Sequence, residues 1–280
     1  MTKSEKRSKP LLLFKYGGNA MINEDLKEEI LAGICLLQRK GYNIVIVHGG
    51  GPFIKEALKE AKIESEFIDG HRKTTSEAFE YVEMALKGKV NSNIVSLINA
   101  LGYKAVGLSG KDGNMVTAEK RLHKTLVNGE SQEVDLGRVG NVKHVDPELI
   151  EILLDKGYIP VITCLASDKN GLDYNINADM FAGHIAGALR ASLFLVLTDV
   201  DGLLANKDDP ESIINKVSID DLKKLKKQNI IEGGMIPKVE SCEIALKLGA
   251  EKTKIINGTK PGKILQSVDN NNSGTLFTRK

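Results

Sequence analysis

Tryptophan is absent from this chain of 280 residues, and aromatic residues of all kinds make up only 5% of it. Few side chains can therefore stack on bases, and a formal net charge of +2 gives no sign of a basic surface, which argues against nucleic acid as a partner. No apolar run approaches the roughly 18 residues of a membrane span, and the run after the basic first ten residues is too short for a signal peptide. We expect a soluble, cytoplasmic protein that binds no membrane.

Cysteine is scarce, and two common nucleotide-binding signatures are missing. Cys35, Cys164 and Cys242 are far apart with no CxxC pair, which predicts neither a disulfide framework nor a zinc site and fits a reducing compartment. After His48-Gly49-Gly50-Gly51-Pro52, Ile54 stands where the third glycine of GxGxxG belongs, which disfavours a nicotinamide dehydrogenase. The Gly-Lys-Ser/Thr end of a Walker loop occurs nowhere in the chain.

The most informative stretch is a helix, a strand and an acidic turn in direct succession. Ala178 to Leu189 is dense in alanine and glycine, as a helix packed tightly on a sheet requires. Leu193 to Leu197 is an unbroken apolar run, the pattern of a strand covered on both faces in a parallel sheet. Thr198-Asp199-Val200-Asp201-Gly202 follows at once. Because ligands bind beyond the carboxyl ends of such strands, these polar residues are well placed for chemistry.

Three strands upstream also end in turns marked by glycine. The turns after Leu11–Phe14, Ile44–Val47 and Ala105–Ser109 are Lys15-Tyr16-Gly17-Gly18-Asn19, His48-Gly49-Gly50-Gly51-Pro52 and Gly110-Lys111-Asp112-Gly113. Glycine lets the backbone approach a ligand closely, and free amides at a helix start attract anions. Each turn alone could be a plain tight turn, but together they predict a site for anionic ligands.

Local patterns predict most of the remaining elements. The predicted helices run from Asn23 to about Arg39, from Thr75 or Ser76 to Leu101, from a cap at Asp146 with Pro147 at the first position, from a cap at Ser218 with Asp221 completing a capping box, and from the Gly233–Lys238 motif through about Leu248. The predicted strands are Tyr158 to Cys164, Lys254–Ile256 and Gly274–Phe277. The stretch between Val116 and Val142 is predicted to form irregular hairpins. The alternation of strands and helices predicts an α/β fold.

The segment from Glu64 to Thr75 alternates around Asp69-Gly70, which predicts a β-hairpin. Arg72 and Lys73 leave this hairpin together. They could form a solvated basic patch, or Arg72 could clamp a substrate carboxylate with its planar guanidinium group.

Seven motifs, taken together and in this order, resemble the amino acid kinase family from Leu12 to about Thr275. They are Lys15-Tyr16-Gly17-Gly18, His48-Gly49-Gly50-Gly51, Gly70-His71-Arg72-Lys73-Thr74, Gly107 to Gly113, Tyr174 to Asp179, Thr198 to Gly202 and Gly233 to Lys238. The resemblance implies a three-layer αβα sandwich with a central, mainly parallel sheet. It also implies transfer of the γ-phosphoryl group of ATP to the side-chain carboxylate of N-acetyl-L-glutamate.

The family pattern further implies a role for particular residues. Lys15 and Lys238 would be catalytic, supplying positive charge from two sides, while Asp179 holds both ammonium groups. The N-acetylglutamate side would be formed by Gly50, Gly51, Arg72 and Asn175. The ATP side would be formed by Gly17, Gly18, Thr198, Asp199, Asp201, Gly202, Leu203, Leu204, Gly234 and Met235. Mg²⁺ would be held mainly through the phosphates, so we nominate no protein ligand for a metal. Asp199 and Asp201 could instead cap their turn, and Asn177 could make a loop hydrogen bond.

The resemblance also shapes the expected organisation. We expect residues 1–190 to form an N-terminal lobe for substrate binding and dimerisation, and residues 191–280 a C-terminal lobe for ATP. Arginine-inhibited members of the family carry an extra N-terminal helix, whereas about ten residues precede the first strand here. We therefore expect an arginine-insensitive homodimer built on the helix from Ser76 to Leu101. His71 and Lys73 stand where the family more often has apolar residues, which leaves fine substrate selectivity open.

Two other functions stay open at this point. A sister kinase could act on another acid, such as aspartate or carrier-bound aminoadipate, although the contexts of Arg72 and Asn175 favour N-acetylglutamate. A non-catalytic sensor of arginine or nucleotide would not need Lys15, Lys238 and Asp179 together. The sequence itself indicates no nitrogen-signalling partner.

Overall fold

The computed structural model describes residues 9–68, 71–127, 130–269 and 273–280. The strands in these ranges are β1 (Leu11–Tyr16), β2 (Asn43–His48), β3 (Phe67–Ile68), β4 (His71–Arg72), β5 (Ala105–Ser109), β6 (Val116–Val127), β7 (Glu130–Val145), β8 (Ile159–Thr163), β9 (Leu165–Ser167), β10 (Asp173–Ile176), β11 (Leu193–Thr198), β12 (Lys216–Ser218), β13 (Thr253–Asn257) and β14 (Thr275–Thr278).

The α-helices are α1 (Glu24–Arg39), α2 (Gly51–Glu60), α3 (Ser76–Glu83), α4 (Ser92–Ala100), α5 (Glu148–Asp155), α6 (Ala178–Ala188), α7 (Leu222–Lys227), α8 (Met235–Leu248) and α9 (Pro261–Asp269). None of the helices in the described ranges combines the length and the apolar character that crossing a bilayer requires.

Eight strands form the central sheet, in the order β12-β14-β13-β11-β1-β2-β8-β5. Their pairings are parallel except for β13 with β14, which is antiparallel. The core divides across this sheet because side chains alternate along each strand. Leu11 and Leu13 of β1 pack with the helices of one face, and Leu12 and Phe14 pack with those of the other. The predicted αβα sandwich is confirmed.

The middle of the sheet sets up its functional edge. In β1, Lys15 lies opposite Val47 of β2 on one side and Val196 of β11 on the other. Because all three strands run in the same direction, the turns that follow them leave the sheet at the same edge.

The predicted long helix from Ser76 to Leu101 is present but is not α-helical throughout. Between α3 and α4, the segment Met84–Asn91 is π-helical, so the helix carries a wide turn in its middle. Short π segments inside α-helices are frequent at functional sites. Apolar periodicity does not reveal this turn, because the buried stripe continues through Leu86 and Val90.

The stretch predicted as irregular hairpins is more regular than its composition suggested. β6 and β7 pair along their length as one antiparallel hairpin, and they close with β9 and β10 into a small barrel. Register shifts lie between Thr117 and Ala118 and between Lys120 and Leu122. The polar composition and the bulges of these strands therefore did not predict their regular antiparallel pairing. Residues 128 and 129, within the stretch predicted as hairpins, lie outside the described residues.

Three other boundaries differ slightly from prediction or fall outside the described ranges. α5 begins at Glu148, so Pro147 is the residue before the helix, while Asp146 Oδ1 still accepts a hydrogen bond from Glu148 N at 3.1 Å. Ser218 Oγ accepts from Asp220 N at 3.2 Å, and a 3₁₀ turn at Ile219–Asp221 precedes α7. The strands that flank Asp69-Gly70 are paired as predicted, but the turn itself is not described.

Helices α6 and α8 approach each other through glycine. A Cβ atom on Gly183 would lie 2.6 Å from the carbonyl oxygen of Ser241, and one on Gly187 would lie 2.3 Å from Leu248 Cβ. Both distances are shorter than real Cβ contacts. Gly187 weakens the helix intrinsically, and the close contact with α8 explains why glycine stands there.

We predict that Gly183→Ala lowers the free energy of unfolding by roughly 1–3 kcal/mol, because the new methyl group meets backbone that cannot move aside cheaply. Gly88→Ala is the matched control. Gly88 is helical and exposed, and apart from its chain neighbours and the backbone of its own helix no described atom lies within 4 Å of the position that a Cβ atom would take there, so alanine should leave stability unchanged or raise it by about 0.5–1 kcal/mol. Urea unfolding of both variants measures the difference, and equal stability would contradict the tight-packing argument.

Candidate active site

A buried ion pair lies at the functional edge of the sheet. Lys15 Nζ is 3.0 Å from Asp179 Oδ1, and each side chain is only 9% exposed. Asp179 is the second residue of α6, whose N-terminal end favours negative charge. Asn177 caps this helix, since its Oδ1 accepts from Asp179 N at 2.9 Å and from Met180 N at 3.2 Å. The cap fixes the place of Asp179 relative to β1.

Asp179 has capacity for a further donor. Its Oδ1 is buried and in ion-pair contact with Lys15, but within the described residues it has no partner in hydrogen-bond geometry. Buried carboxylate oxygens are normally hydrogen-bonded. The unsatisfied atom therefore marks a place where a second ammonium group or a rearranged Lys15 can donate.

A cavity of about 150 Å³ opens beside this pair. It is lined by Lys15, Gly17, Gly18, Leu197, Thr198, Asp199, Lys238 and Thr259. Six of these are residues that the sequence nominated. The cavity thus brings together the lysine of β1, the glycine turn after it, the start of the acidic turn and the lysine of α8.

Lys238 also lines the cavity. It lies in the first turn of α8, and its Nζ donates to the carbonyl oxygen of Gly234 at 3.1 Å. Gly234 is the residue before the helix, and Met235 is its first residue. In this structure the Lys238 ammonium group is therefore held by its own helix start, and its predicted contact with Asp179 is not formed.

The triple-glycine turn lies next to the Lys15 turn. A Cβ atom on Gly17 would lie 3.4 Å from Lys15 Nζ and 3.8 Å from the backbone nitrogen of Gly49. Gly50 is the N-cap of α2 and Gly51 its first residue, so their N–H groups are among those that have no partner within the helix. A Cβ atom on Gly50 would lie 2.6 Å from Leu86 Cδ2, so a larger residue there would have to displace the end of the Leu86 side chain.

The two predicted carboxylate-binding residues lie on different parts of the fold. Arg72, on β4, donates to Ser65 Oγ and stacks over the Phe67 ring, 4.6 Å from its centroid. Burial lowers the pKa of Arg72. Asn175 lies on β10, beside Val139 of β7. The hairpin of Arg72 is tied to the barrel because Thr74 N donates to Leu136 O at 2.9 Å.

The acidic turn divides into two parts. Asp199 borders the cavity and accepts a hydrogen bond from Thr198 Oγ1 at 3.2 Å. Asp201 instead pairs with Lys260 at 2.7 Å and Lys263 at 2.8 Å. Hydrogen bonds from these two lysines lower the pKa of Asp201 to about 2, so the carboxyl group stays ionised.

The rest of that turn does not line the cavity. A Cβ atom on Gly202 would lie 2.7 Å from Thr275 Oγ1, the atom that accepts a hydrogen bond from Leu203 N at 2.7 Å. Leu203 is 1% exposed and belongs to the core, and Leu204 bridges to Ile213. Gly202 to Leu204 therefore anchor the turn to β14 and to the loop that contains Ile213.

The sequence analysis missed the loop after β13. Thr259 lines the cavity, and both its backbone N–H and its hydroxyl group bond Asn257 Oδ1, at 2.9 and 2.6 Å. Gly258 N donates to Thr198 O at 2.7 Å, so this loop is fastened to the end of β11. A signal was present: Asn257-Gly258-Thr259 follows a short apolar strand, as the other site turns do.

A lysine of the turn after β5 joins two other elements of the fold. Lys111 Nζ is 2.6 Å from Glu83 Oε1 and 2.8 Å from Asp173 Oδ2. Burial alone would lower the pKa of Lys111, but Asp173 and Glu83 outweigh it and raise the pKa. The ammonium group thus stays charged and ties β10, which carries Asn175, to the end of α3.

Glycine N–H groups that can bind phosphate, two lysines and a buried carboxylate are the features of a site that transfers an anionic group between anionic ligands. In agreement, residues 10–257 match the amino acid kinase family, and the chain belongs to that family.

The relatives within this family point to one activity. Over 269 residues the chain is 45% identical to the acetylglutamate kinase of Methanococcus aeolicus, covering 96% of this chain and 92% of the relative. Over 257 residues it is 45% identical to the acetylglutamate kinase of Moorella thermoacetica, covering 92% and 87%. A crystal structure of smu.665 from Streptococcus mutans is similar with a TM-score of 0.75 at 28% identity, covering 96% and 99%.

We predict a coupling free energy of about 1–3 kcal/mol between Lys15 and Asp179 in a double-mutant cycle of Lys15→Met and Asp179→Asn, followed by urea unfolding. Removing one partner leaves a buried polar group without compensation, and removing both relieves that cost. The control cycle is Lys247 and Glu243, which are 2.6 Å apart on α8 with the lysine 59% exposed; about 0.3–0.5 kcal/mol is expected there. Equal coupling in the two cycles would show that burial adds nothing to the pair.

Proposed function

We propose that this chain is an acetylglutamate kinase, which transfers the γ-phosphoryl group of ATP to the side-chain carboxylate of N-acetyl-L-glutamate in arginine biosynthesis. The observation that carries the proposal is the buried Lys15–Asp179 pair at a cavity lined by glycine amides and a second lysine. The identity of 45% to acetylglutamate kinases over nearly the whole chain supports the same activity.

The chemistry explains why the described lining of the cavity includes two lysines and no histidine. A side-chain carboxylate with a pKa of about 4.3 is already ionised at neutral pH, so no general base is needed. One carboxylate oxygen forms a bond to the γ-phosphorus, the bond from phosphorus to the β–γ bridging oxygen breaks, and ADP leaves with that electron pair. The barrier lies in bringing two anions together, and positioned positive charge lowers it.

Lys15 and Lys238 are the side chains that supply this charge. Lys15 is fixed by burial and by Asp179, so its ammonium group is already oriented when the ligands arrive. Lys238 also lines the cavity and donates to Gly234 O, a contact that it would exchange for an oxygen of the transferring group. The free acceptor capacity of Asp179 Oδ1 among the described residues gives either ammonium group a place to donate.

The glycine turns act as hydrogen-bond donors. Gly50 and Gly51 start α2, and their N–H groups, which the helix itself leaves unpaired, suit the reacting carboxylate and the transferring phosphoryl group. Gly17 and Gly18 offer the same on the ATP side of the cavity. Arg72 and Asn175 are assigned to the α-carboxylate and the amide region of N-acetylglutamate. For Arg72 this requires that its guanidinium group also reach the ligand from its present place over Phe67.

On the nucleotide side, Thr198, Asp199 and Thr259 border the cavity, and Gly234 and Met235 start the helix beside it. The described residues contain no group of three or more histidine, cysteine, aspartate or glutamate side chains that could hold a metal ion. Mg²⁺ would be carried mainly by the phosphates, where it neutralises part of their charge.

The organisation of the enzyme is part of the proposal. Residues 1–190 carry Arg72 and Asn175 and would form the lobe for N-acetylglutamate, while residues 191–280 carry Thr198, Thr259 and Lys238 and would form the lobe for ATP. The helix from Ser76 to Leu101 exposes Met84 (55%) and Leu101 (38%), which suits its predicted use in a homodimer. The enzyme would act in the cytoplasm.

We predict that the chain, supplied with ATP, Mg²⁺ and hydroxylamine, forms a hydroxamate with N-acetyl-L-glutamate and not with L-glutamate, L-aspartate or N-acetyl-L-aminoadipate. Hydroxylamine traps an acyl phosphate, so a coloured ferric hydroxamate reports the reaction and the acceptor together. Lys15→Met serves as the inactive control. Hydroxamate from another acid would keep the mechanism and change the substrate. ATP binding without turnover on any acid would favour a sensor.

We predict that Lys238→Ala lowers kcat by about 10²–10³-fold with little change in the KM for ATP, because its charge is needed mainly when the phosphoryl group is in transfer. Lys247→Ala, an exposed position on the same helix, is the control and should behave as the parent does. Steady-state kinetics with both substrates varied makes the comparison. A parent-like kcat in Lys238→Ala would remove this lysine from the catalytic group.

A further inference from the structure

A buried histidine with a defined tautomer ends β2. His48 is 0% exposed; its Nδ1 lies 2.8 Å from Gly49 O and its Nε2 lies 2.9 Å from Asn91 Nδ2. A carbonyl oxygen only accepts, so Nδ1 carries the proton, and Nε2 accepts from the Asn91 amide. The same amide nitrogen donates to Val161 O at 2.9 Å, which fixes the orientation of the Asn91 side chain.

Asn91 is itself held tightly. It is the last residue of the π-helical segment and is 2% exposed. A Cβ atom on Gly107 would lie 2.1 Å from Asn91 Oδ1, so the carboxamide group occupies space that only a glycine leaves open. The π segment thereby supplies a rigid support for the far side of the imidazole ring.

The Nδ1 side of the ring contacts a peptide group of the triple-glycine turn. The described chain contains no cis peptide bond, so the C=O of Gly49 and the N–H of Gly50 point in opposite directions. A hydrogen bond from His48 to Gly49 O therefore sets the direction of the Gly50 N–H. Glycine peptides are conformationally free, so this contact narrows the directions in which the N–H can point.

We propose that His48 is a positioning residue: supported by Asn91, its neutral imidazole orients the Gly49–Gly50 peptide so that the Gly50 N–H faces the transferring phosphoryl group. The proposal rests on the proposed function, because it names what holds one of the donors of that site. The ring stays neutral because burial lowers the pKa of His48 to about 4, although the hydrogen bond to Gly49 acts in the opposite direction. His48 then takes no part in proton transfer.

Two substitutions separate the contacts of the ring. In His48→Asn the side-chain amide nitrogen lies near the place of Nδ1 and keeps the donor to Gly49 O, while the contact with Asn91 is lost. In His48→Gln the side chain reaches the place of Nε2 and keeps an acceptor for Asn91, while the donor to Gly49 O is lost. We expect His48→Gln to lose kcat on the order of 100-fold with little change in the KM for ATP, and His48→Asn to keep most of kcat.

A role in core packing alone predicts a different order. Loss of kcat would then follow loss of stability, measured as the urea midpoint of each variant, regardless of which contact remains. His48→Phe, which fills the space without either hydrogen bond, should resemble His48→Gln in kcat. A parent-like kcat in His48→Phe, or equal losses in His48→Asn and His48→Gln, would overturn the proposal.

A second measurement needs no turnover. In ¹⁵N-labelled protein at neutral pH, long-range proton–nitrogen correlation should show a pyrrole-type Nδ1 and a pyridine-type Nε2 for His48. The five histidines are few enough to assign, and the signal absent from His48→Asn identifies the ring. A protonated Nε2 would overturn the proposal whether or not N-acetylglutamate is the substrate. Absence of hydroxamate with the expected tautomer would instead count against the proposed function.

Discussion

The parallel pairing of β1 with β2 on one side and β11 on the other is the constraint on which the candidate site depends. The register places Lys15 level with Val47 and Val196, so the turns after all three strands meet at one edge of the sheet. Each turn is ordinary in isolation. Only their shared edge puts a lysine, glycine amides and an acidic turn around a single cavity.

The two lysines at that edge are stabilised in different ways. Lys15 is almost buried, which would be costly for a free charge, and Asp179 at the start of α6 offsets the cost. Lys238 is half-buried and donates to the carbonyl oxygen of its own helix start. In the proposed function, Lys15 would be fixed in advance, and Lys238 would be able to change its contacts as the phosphoryl group is transferred.

The sequence predicted those features that depend on local chemistry. Strands appear as apolar runs, and the cap made by Asn23 appears as a side-chain acceptor before a periodic segment, with Asn23 Oδ1 accepting from Leu26 N at 2.9 Å. Features that depend on distant contacts were not predictable. The lysine partners of Asp201 follow it by about 60 residues, and Leu86 and Asn91 of the π segment pack against glycines of other elements. The small barrel could not be predicted from local patterns, because it is completed by β10, which is distant in sequence from β7, the strand that it pairs with.

The packing of α6 on α8 limits how Lys238 and Asp179 can come together. Gly183 of α6 lies so close to Ser241 of α8 that even a methyl group would not fit, so the two helices have little room to slide towards each other. Asp179 and Lys238 each lie near the start of one of these helices. Since the helices are already in contact, rotation of the long lysine side chain is the smallest change that could carry its ammonium group from Gly234 O towards Asp179. The glycines that appear in the sequence as weak points of a helix therefore fix how closely the two helices that carry Asp179 and Lys238 approach each other.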